Sequence, residues 1–557
     1  MRRFSSSDIR NFAIVGHGAS GKTCLAEAML KNGNEINRMG KIEQGSTTSD
    51  YHPGEKTRQI SIHSTPLHIT WEETKFNLID TPGYSDFIGE AMGALNVVDM
   101  AVITIHAVSG VEVGTETMWN YAKDLGIPKM LVVNGLDREH TKFEEILDQA
   151  RKRFGGNVFP MQLPVNPGPG YNQNVDVLRT ELISYETDGS GKINESELPD
   201  SLSEKVKKLH EELIEYVAES DDALLERFFE KGSLTEEEMR DGIHKAIQDQ
   251  TFIPLFCTSS TKNIGVRRVC DFISKYGSSP DDRKIVKAKD EKGNVVDVSL
   301  EGSDTVLQIF KTMSESHVGE FSFFRVYSGE VQTGEDYHNS SRNIDERFGQ
   351  MFLLNGKNRT QVDKLYAGDI GGVVKLKDTH TGDTLSSGKH LKLPLLSLPN
   401  PNIHAAIRPT AKGDEEKLAV GLATLQEEDS TFVYRVDSEV NQTIISGQGE
   451  LHLTVSTERL KRRFGIDIHL EEPKIPYRET ITINKIGANG NPIIIEAYGS
   501  EEVTIDGTVD ITGSWTSHGN GIYKLSSYST NITQLFVDDE PMVNARWPNA
   551  QFNDDSV

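Results

Sequence analysis

Three cysteines in 557 residues, Cys24, Cys257 and Cys270, are too few and too irregularly spaced for a disulfide framework or a zinc site, which points to a reducing compartment. They read as core fillers. Long apolar runs are lacking as well: none approaches the roughly 18 residues that a membrane span needs, so no membrane partner is expected. Met1 to Arg10 holds no secretory apolar stretch and is too short for a transit peptide before the strand-like Phe12-Ala13-Ile14-Val15. Nothing is expected to be cleaved, and a cytoplasmic location is expected. Positive charge is in deficit, with 59 Lys and Arg against 84 Asp and Glu, a net charge of −25. A field of that sign repels nucleic acid at long range, so DNA is not an expected partner and any RNA contact must come through local basic patches. Arg459-Leu460-Lys461-Arg462-Arg463 is such a patch, or else a solvated helix face. Oligomeric state stays open.

What is present, 36% hydrophobic and 26% charged residues, belongs to soluble globular chains, and the length calls for several domains. Over residues 1–285, apolar β-rich runs (Phe12 to Val15, Phe76 to Ile79, Val97 to His106, Lys129 to Val133, Phe252 to Cys257) alternate with helical stretches. That alternation predicts an α/β unit with a parallel sheet between helices. A charged, helix-rich insert, about 164–249, interrupts it. Ser278 to Gly302 reads as a linker. Residues 305–398, with short strands and glycine turns, predict a small β-barrel, and 399–482 an α+β unit in which Leu453, Leu460 and Phe464 share a helix face. After about Ile483 the composition shifts. Residues 483–557 hold two of the four tryptophans and short strand-like runs at Ile493 to Ile495, Val503 to Ile505 and Val509 to Ile511.

Gly16-His17-Gly18-Ala19-Ser20-Gly21-Lys22-Thr23 fits G-x-x-x-x-G-K-[ST] between a predicted strand and a predicted helix. A chance glycine turn seldom has that context. In such a loop backbone N–H groups wrap phosphates, Lys22 reaches the β- and γ-phosphates, and the Thr23 hydroxyl ligates Mg²⁺. Asp80-Thr81-Pro82-Gly83 follows a strong strand, where an acidic residue meets the metal shell and the Gly83 N–H a γ-phosphate; by itself it would be a plain turn. Asn134-Gly135-Leu136-Asp137 also follows a strand. The two oxygens of Asp137 can accept from guanine N1–H and its amine, whereas adenine would leave them unpaired; the alternative is an ordinary Asn-Gly turn. Ser259-Ser260, after another strand, stands where a last backbone contact to guanine is expected.

Taken in order, these four elements resemble the translational GTPases, and elongation factor G above all. Arg58-Gln59-Ile60-Ser61 is similar to the family's Arg-Gly-Ile-Thr of switch I, which implies that Ser61 joins the Mg²⁺ shell in the GTP state. Asp80 to Phe87 is similar to switch II. Ala367-Gly368-Asp369-Ile370-Gly371 and Thr381 to Leu385 resemble the second domain; Ser446 to His452 and Pro476-Tyr477-Arg478-Glu479-Thr480 resemble the third. The resemblance, spanning about Ile9 to Thr482, implies an α/β P-loop GTPase domain followed by a β-barrel and a ferredoxin-like α+β domain. GTP/GDP and Mg²⁺ are the implied cofactors, and the ribosome the implied partner.

Several residues depart from the pattern. Tyr84 stands where the family has the water-orienting histidine, and a phenol cannot act as an imidazole base, so weak hydrolysis is expected. Ala19 replaces a phosphate-loop aspartate, Gly135 the base-motif lysine and Gln59 a glycine. Such departures resemble divergent elongation-factor-G-like paralogues. Glu186 to Glu197 imitates a calcium loop, but Glu186 replaces its first aspartate and Pro199 interrupts the exit helix, so the segment reads as strand–turn–helix. Gly499 to Ile511 and Asn544 to Ala550 resemble the start of secreted parallel β-helix proteins, and the tail is expected to be a chimeric join, with a divergent β-domain as the alternative. Three functions follow: a GTPase acting at the ribosome, a nucleotide-dependent binding protein that hydrolyses little, and, from the tail alone, a carbohydrate-active β-helix fragment.

Overall fold

The computed structural model describes residues 3–315, 319–411, 413–438, 440–474, 515–519 and 522–525. Its first part runs β1 (Ile9–Gly16), α1 (Lys22–Asn32), α2 (Pro53–Arg58), β2 (Thr65–Trp71), β3 (Thr74–Asp80), α3 (Ile88–Asn96), β4 (Met100–His106), α4 (Val113–Asp124), β5 (Lys129–Asn134), α5 (Phe143–Phe154) and β6 (Val158–Pro160). It continues through β7 (Gln162–Pro164), β8 (Gln173–Asp176), β9 (Glu181–Tyr185), β10 (Ile193–Ser196), α6 (Asp200–Ala218), α7 (Asp222–Lys231), α8 (Glu236–Gln248), β11 (Ile253–Thr258) and α9 (Val266–Tyr276). Seven strands form one sheet in the order β2-β3-β1-β4-β5-β11-β6. Phe12, Ala13, Ile14 and Val15 are all fully buried, because helices cover both faces and every side chain of a central parallel strand meets a core. Each fully buried side chain of Val or Ile size contributes about 1.5–3 kcal/mol.

The strands align their C-terminal ends. Ile14 pairs with Asp80, Gly16 with Thr104, and Asn134 with both His106 and Thr258. Loops that leave these ends therefore share one crevice, where open parallel sheets hold ligands.

Two expectations are corrected. The sheet is mixed rather than parallel, since β2 runs antiparallel to β3. Glu72-Glu73 closes this hairpin without the Asn-Gly signal such loops favour, and Glu72 takes φ +52° itself. Nor is 278–302 a plain linker: Ile285–Lys289 pairs antiparallel with Val295–Ser299. Alternate residues Val286, Ala288, Val296 and Val298 pack with Leu391 and Leu393, a period-2 pattern hidden between lysines and aspartates. The calcium-like segment is a hairpin, with β9 and β10 antiparallel and Gly189 and Gly191 in the left-handed region. Among the described residues no cluster of three or more His, Cys, Asp or Glu could hold a metal.

From Val306 to Ser386, eight strands form one sheet around a core that includes Leu307, Phe324, Tyr337, Met351, Val373 and Leu385. Buried ion pairs tie it to the first sheet: Arg325 to Asp99 at 2.8 Å and Lys75 to Asp369 at 2.7 Å. The next part succeeds as β-α-β-β-α-β, a ferredoxin-like order, with helices α10 (Glu415–Glu428) and α11 (Glu450–Phe464) packed through Leu422, Leu453 and Leu460. The basic run on α11 is largely ion-paired: Arg459 and Arg463 reach Glu428, and Lys461 reaches Asp467 at 2.6 Å.

The chain divides into two compact units, Met1–Arg435 with Thr443–Glu471, and Val436–Gln442 with Glu472–Val557. In the second, Trp515–Gly519 and Ile522–Leu525 pair antiparallel. Pro476 to Thr480, the strand-like runs between Ile493 and Ile511, and Asn544 to Ala550 lie outside the described residues. No described helix is long and apolar enough to cross a membrane.

Candidate active site

The loop from β1 to α1 is shaped by close approaches. Gly16 has φ +143°, and a Cβ there would lie 2.6 Å from Thr104 O; Gly21 has φ +86°, and its Cβ would meet Asn134 Nδ2 at 2.1 Å. Side chains at either position would push the loop off the sheet end. Ser20 Oγ bonds His17 O at 2.8 Å and Thr104 Oγ1 at 2.6 Å, and His17 Nδ1 accepts from Gly114 N at 3.2 Å. Lys22, in the first turn of α1, donates to Gly16 O at 3.1 Å and His17 O at 2.7 Å. Burial pushes its ammonium down to about 8, against the pull of Asp80 and Asp50.

Beside Lys22 lies a pocket of hydroxyls and carboxylates. Thr23 Oγ1 donates to Asp80 Oδ2 at 2.8 Å and stands 3.1 Å from Ser61 Oγ, while Ser49 Oγ donates to the same Asp80 oxygen at 2.6 Å. Asp80 Oδ1 and Asp50 Oδ2 are buried without a hydrogen-bond partner. Burial raises both carboxyls, Asp50 to about 7, with Asp80 raising it further and a bond from Ser61 opposing. Partnerless buried oxygens next to three hydroxyls match the all-oxygen ligand chemistry of a hard divalent cation. Thr23, Ser61 and Asp80 were expected here; Ser49 and Asp50 were not, although an acidic and hydroxyl-rich stretch ahead of Arg58 was a visible signal.

The loop after β5 is bound to the phosphate loop. Asn134 Nδ2 donates to Ser20 O at 3.0 Å, and Asn134 Oδ1 accepts from Ser260 N at 2.9 Å and Ser260 Oγ at 2.8 Å. Ser259 Oγ donates to Asp137 Oδ1 at 2.6 Å, and its N–H goes to Ile264 O at 3.0 Å. Both serine N–H groups are thus engaged within the protein. The two residues orient Asn134 and Asp137.

Across the crevice Gly83 crowds the phosphate loop: a Cβ on it would fall 2.2 Å from Lys22 Nζ and 2.6 Å from His17 O. Tyr84, 43% exposed, lays its ring 3.5–3.6 Å from the Cβ position of Gly18, at van der Waals distance across the loop. A cleft of about 520 Å³ opens between them, lined by His17, Ala19, Gly83, Tyr84, His106 and Glu112 among others. Ala19 holds φ +60° and Gln59 φ +57°, the left-handed region where glycine is favoured.

Sequence profiles of known families match along most of the chain: the elongation factor Tu GTP binding domain over residues 7–279, elongation factor G domain 2 over 305–388, and elongation factor G domain III over 398–472. An elongation factor G of Salinibacter ruber (strain DSM 13855 / M31) is 36% identical over 485 residues, covering 86% of this chain and 69% of that protein. The chain belongs to the elongation factor G family. It is a translation-factor GTPase that binds guanine nucleotide. A crystal structure of a protein from Thermus thermophilus superposes with a TM-score of 0.77 and 31% identity, covering 85% of this chain and 68% of that one. Against this family background, both switch segments touch α11: Asp86 Oδ1 accepts from Leu451 N at 2.9 Å, and Arg58 pairs with Glu458.

Proposed function

We propose that this elongation factor G relative binds GTP in the crevice at the strand ends, hydrolyses it there, and uses the change at the ribosome, in the cytoplasm. Gly16 to Thr23 wrap the phosphates, with Lys22 turning from the loop carbonyls to the β- and γ-oxygens. Asp137, held by Ser259, accepts the guanine edge, and Asn134 ties that loop to the phosphate loop. Thr23, Ser61 and Asp80 would hold Mg²⁺, which when bound supplies positive charge against the phosphate oxygens. Gly83 N–H faces the γ-phosphate. Tyr84, in place of histidine, positions the attacking water by hydrogen bonding alone. Movement of switch II is passed to the ferredoxin-like part through Asp86 at the start of α11, and movement of switch I through Arg58.

The observation that carries this reading is the meeting of Lys22, Thr23, Asp80 and Asn134 at one sheet end, from separate stretches of chain. The proposed domain limits, 1–285, 305–398 and 399–482, place every one of these groups in the first. Affinity for GDP and GTP over ATP, ribosome co-sedimentation with a non-hydrolysable GTP analogue, and single-turnover hydrolysis with and without ribosomes test it. Equal ATP and GTP affinity overturns the base assignment; no co-sedimentation overturns the partner. Tyr84 favours a second reading, a nucleotide-dependent binder with little hydrolysis, and an unstimulated rate on ribosomes would select it.

A further inference from the structure

The turn that carries Asp137 carries a second side chain folded back on it. Gly135 opens the turn at φ +88°, with its N–H and that of Leu136 bonded to Thr258 O at 3.0 and 3.2 Å. Arg138 closes it by donating its N–H to Gly135 O at 3.0 Å. That closure folds Arg138 back over the glycine: a Cβ at 135 would lie 3.6 Å from Arg138 Cδ and Nε and 3.9 Å from Cγ. The arginine stem thus packs at van der Waals distance over the bare glycine. Its charge reaches His106 at the end of β4, whose imidazole is lowered first by burial and next by Arg138. Arg138 is exposed and has no ion pair with any described residue. Its neighbours on the turn are Asn134, tied to the phosphate loop, and Asp137.

We propose that Arg138 forms one wall of the guanine pocket, covering a face of the ring whose edge Asp137 accepts. The proposal rests on the base-reading assignment above. A purine gripped by its edge still has two flat faces open to water, and a planar guanidinium on an apolar stem covers such a face by stacking and by cation–π attraction. Gly135 has no side chain to do this, and the turn supplies one from three residues on. Arg138 acts as a positioning residue for the base and touches no phosphate.

The test is calorimetric binding of GDP, and of tripolyphosphate as a probe without a base, to the full chain. Arg138→Ala is expected to raise the GDP Kd about five- to tenfold, within the roughly two- to thirtyfold span of a cation–π contact. Arg138→Lys should recover most of that loss. Tripolyphosphate affinity and the melting temperature without nucleotide should not change. In an Asp137→Asn background, Arg138→Ala should weaken xanthosine diphosphate by the same factor, because stacking is indifferent to the exocyclic groups. A wild-type GDP Kd in Arg138→Ala overturns the proposal, as does an equal loss for tripolyphosphate, which would assign the arginine to the phosphates. If the wild type itself prefers ADP, the base assignment falls and this proposal with it.

Discussion

Lys311 and Glu90 tie the end of switch I to the barrel, and removing the lysine should unfasten both. Lys311 Nζ, 6% exposed, lies 2.5 Å from Glu90 Oε2 and donates to Ser64 O at 3.1 Å. Glu90 also accepts from Ser64 N at 2.8 Å and Ser64 Oγ at 2.6 Å, three residues beyond Ser61. Burial alone would raise the Glu90 carboxyl, but Lys311, then His63, holds it well below its ordinary value of 4.5. A group with a lowered folded value contributes stability above its unfolded value and loses it as pH falls through the folded one. In Lys311→Met the opposing charge is gone, burial dominates, and the carboxyl rises above 4.5. The variant must then take up a proton or bury a bare carboxylate, so it weakens as pH increases. Removing one partner of a buried pair costs about 3–5 kcal/mol. The loss should be largest at pH 8 and shrink towards pH 5, and Glu90→Gln added to Lys311→Met should restore most of it. Because a multidomain chain need not unfold in two states, the assay is hydrogen exchange of the Ser64 amide alongside urea titration. A loss below about 1 kcal/mol, or one independent of pH, refutes the reasoning.

Asp137→Asn should exchange guanine for xanthine preference, with GDP weakened by about 10⁴-fold, since a site built for one hydrogen-bond pattern rejects its mismatch that strongly; competition binding against xanthosine diphosphate checks it. Tyr84→His should raise ribosome-stimulated hydrolysis about 10²-fold, and no gain in single-turnover rate would mean that the phenol already places the water. Gln59→Gly should stabilise the unliganded protein by about 1 kcal/mol in urea titration, because the left-handed conformation strains a residue with a Cβ. Deleting residues 483–557 should leave the GDP Kd unchanged, since every proposed nucleotide contact lies between Gly16 and Ser260; loss of GDP binding would make the tail part of the site.

What could be read from the sequence, and what could not, divides by the range of the interaction. Asp80 and Asn134 end strands, and Lys22 and Thr23 open the helix after one, so local pattern was enough to place them. Asp50 is legible only as one acidic residue among hydroxyls; its importance comes through Asp80, far along the chain, and through Ser61. The hairpin at Ile285–Ser299 escaped because its inward face alternates with Lys287, Lys289 and Asp297, which dominate a composition-based reading.

Three of the four departures from the family pattern have a local setting in the fold that bears on them. Gln59 takes a left-handed backbone conformation that favours glycine, at the cost of strain that its neighbours must offset. Tyr84 is larger than histidine, and its ring packs over Gly18, at van der Waals distance from where a side chain would begin. Gly135 lacks a side chain, and the Arg138 stem packs over it. Judged one position at a time, these changes predict a weakened nucleotide site. Judged as contacting pairs, two of the three pack against a neighbour, and residues in contact do not contribute additively. The difference is measurable: Gly18→Val should impair a protein with Tyr84 more than one carrying Tyr84→His, and equal effects in the two backgrounds would show that the pair is not coupled.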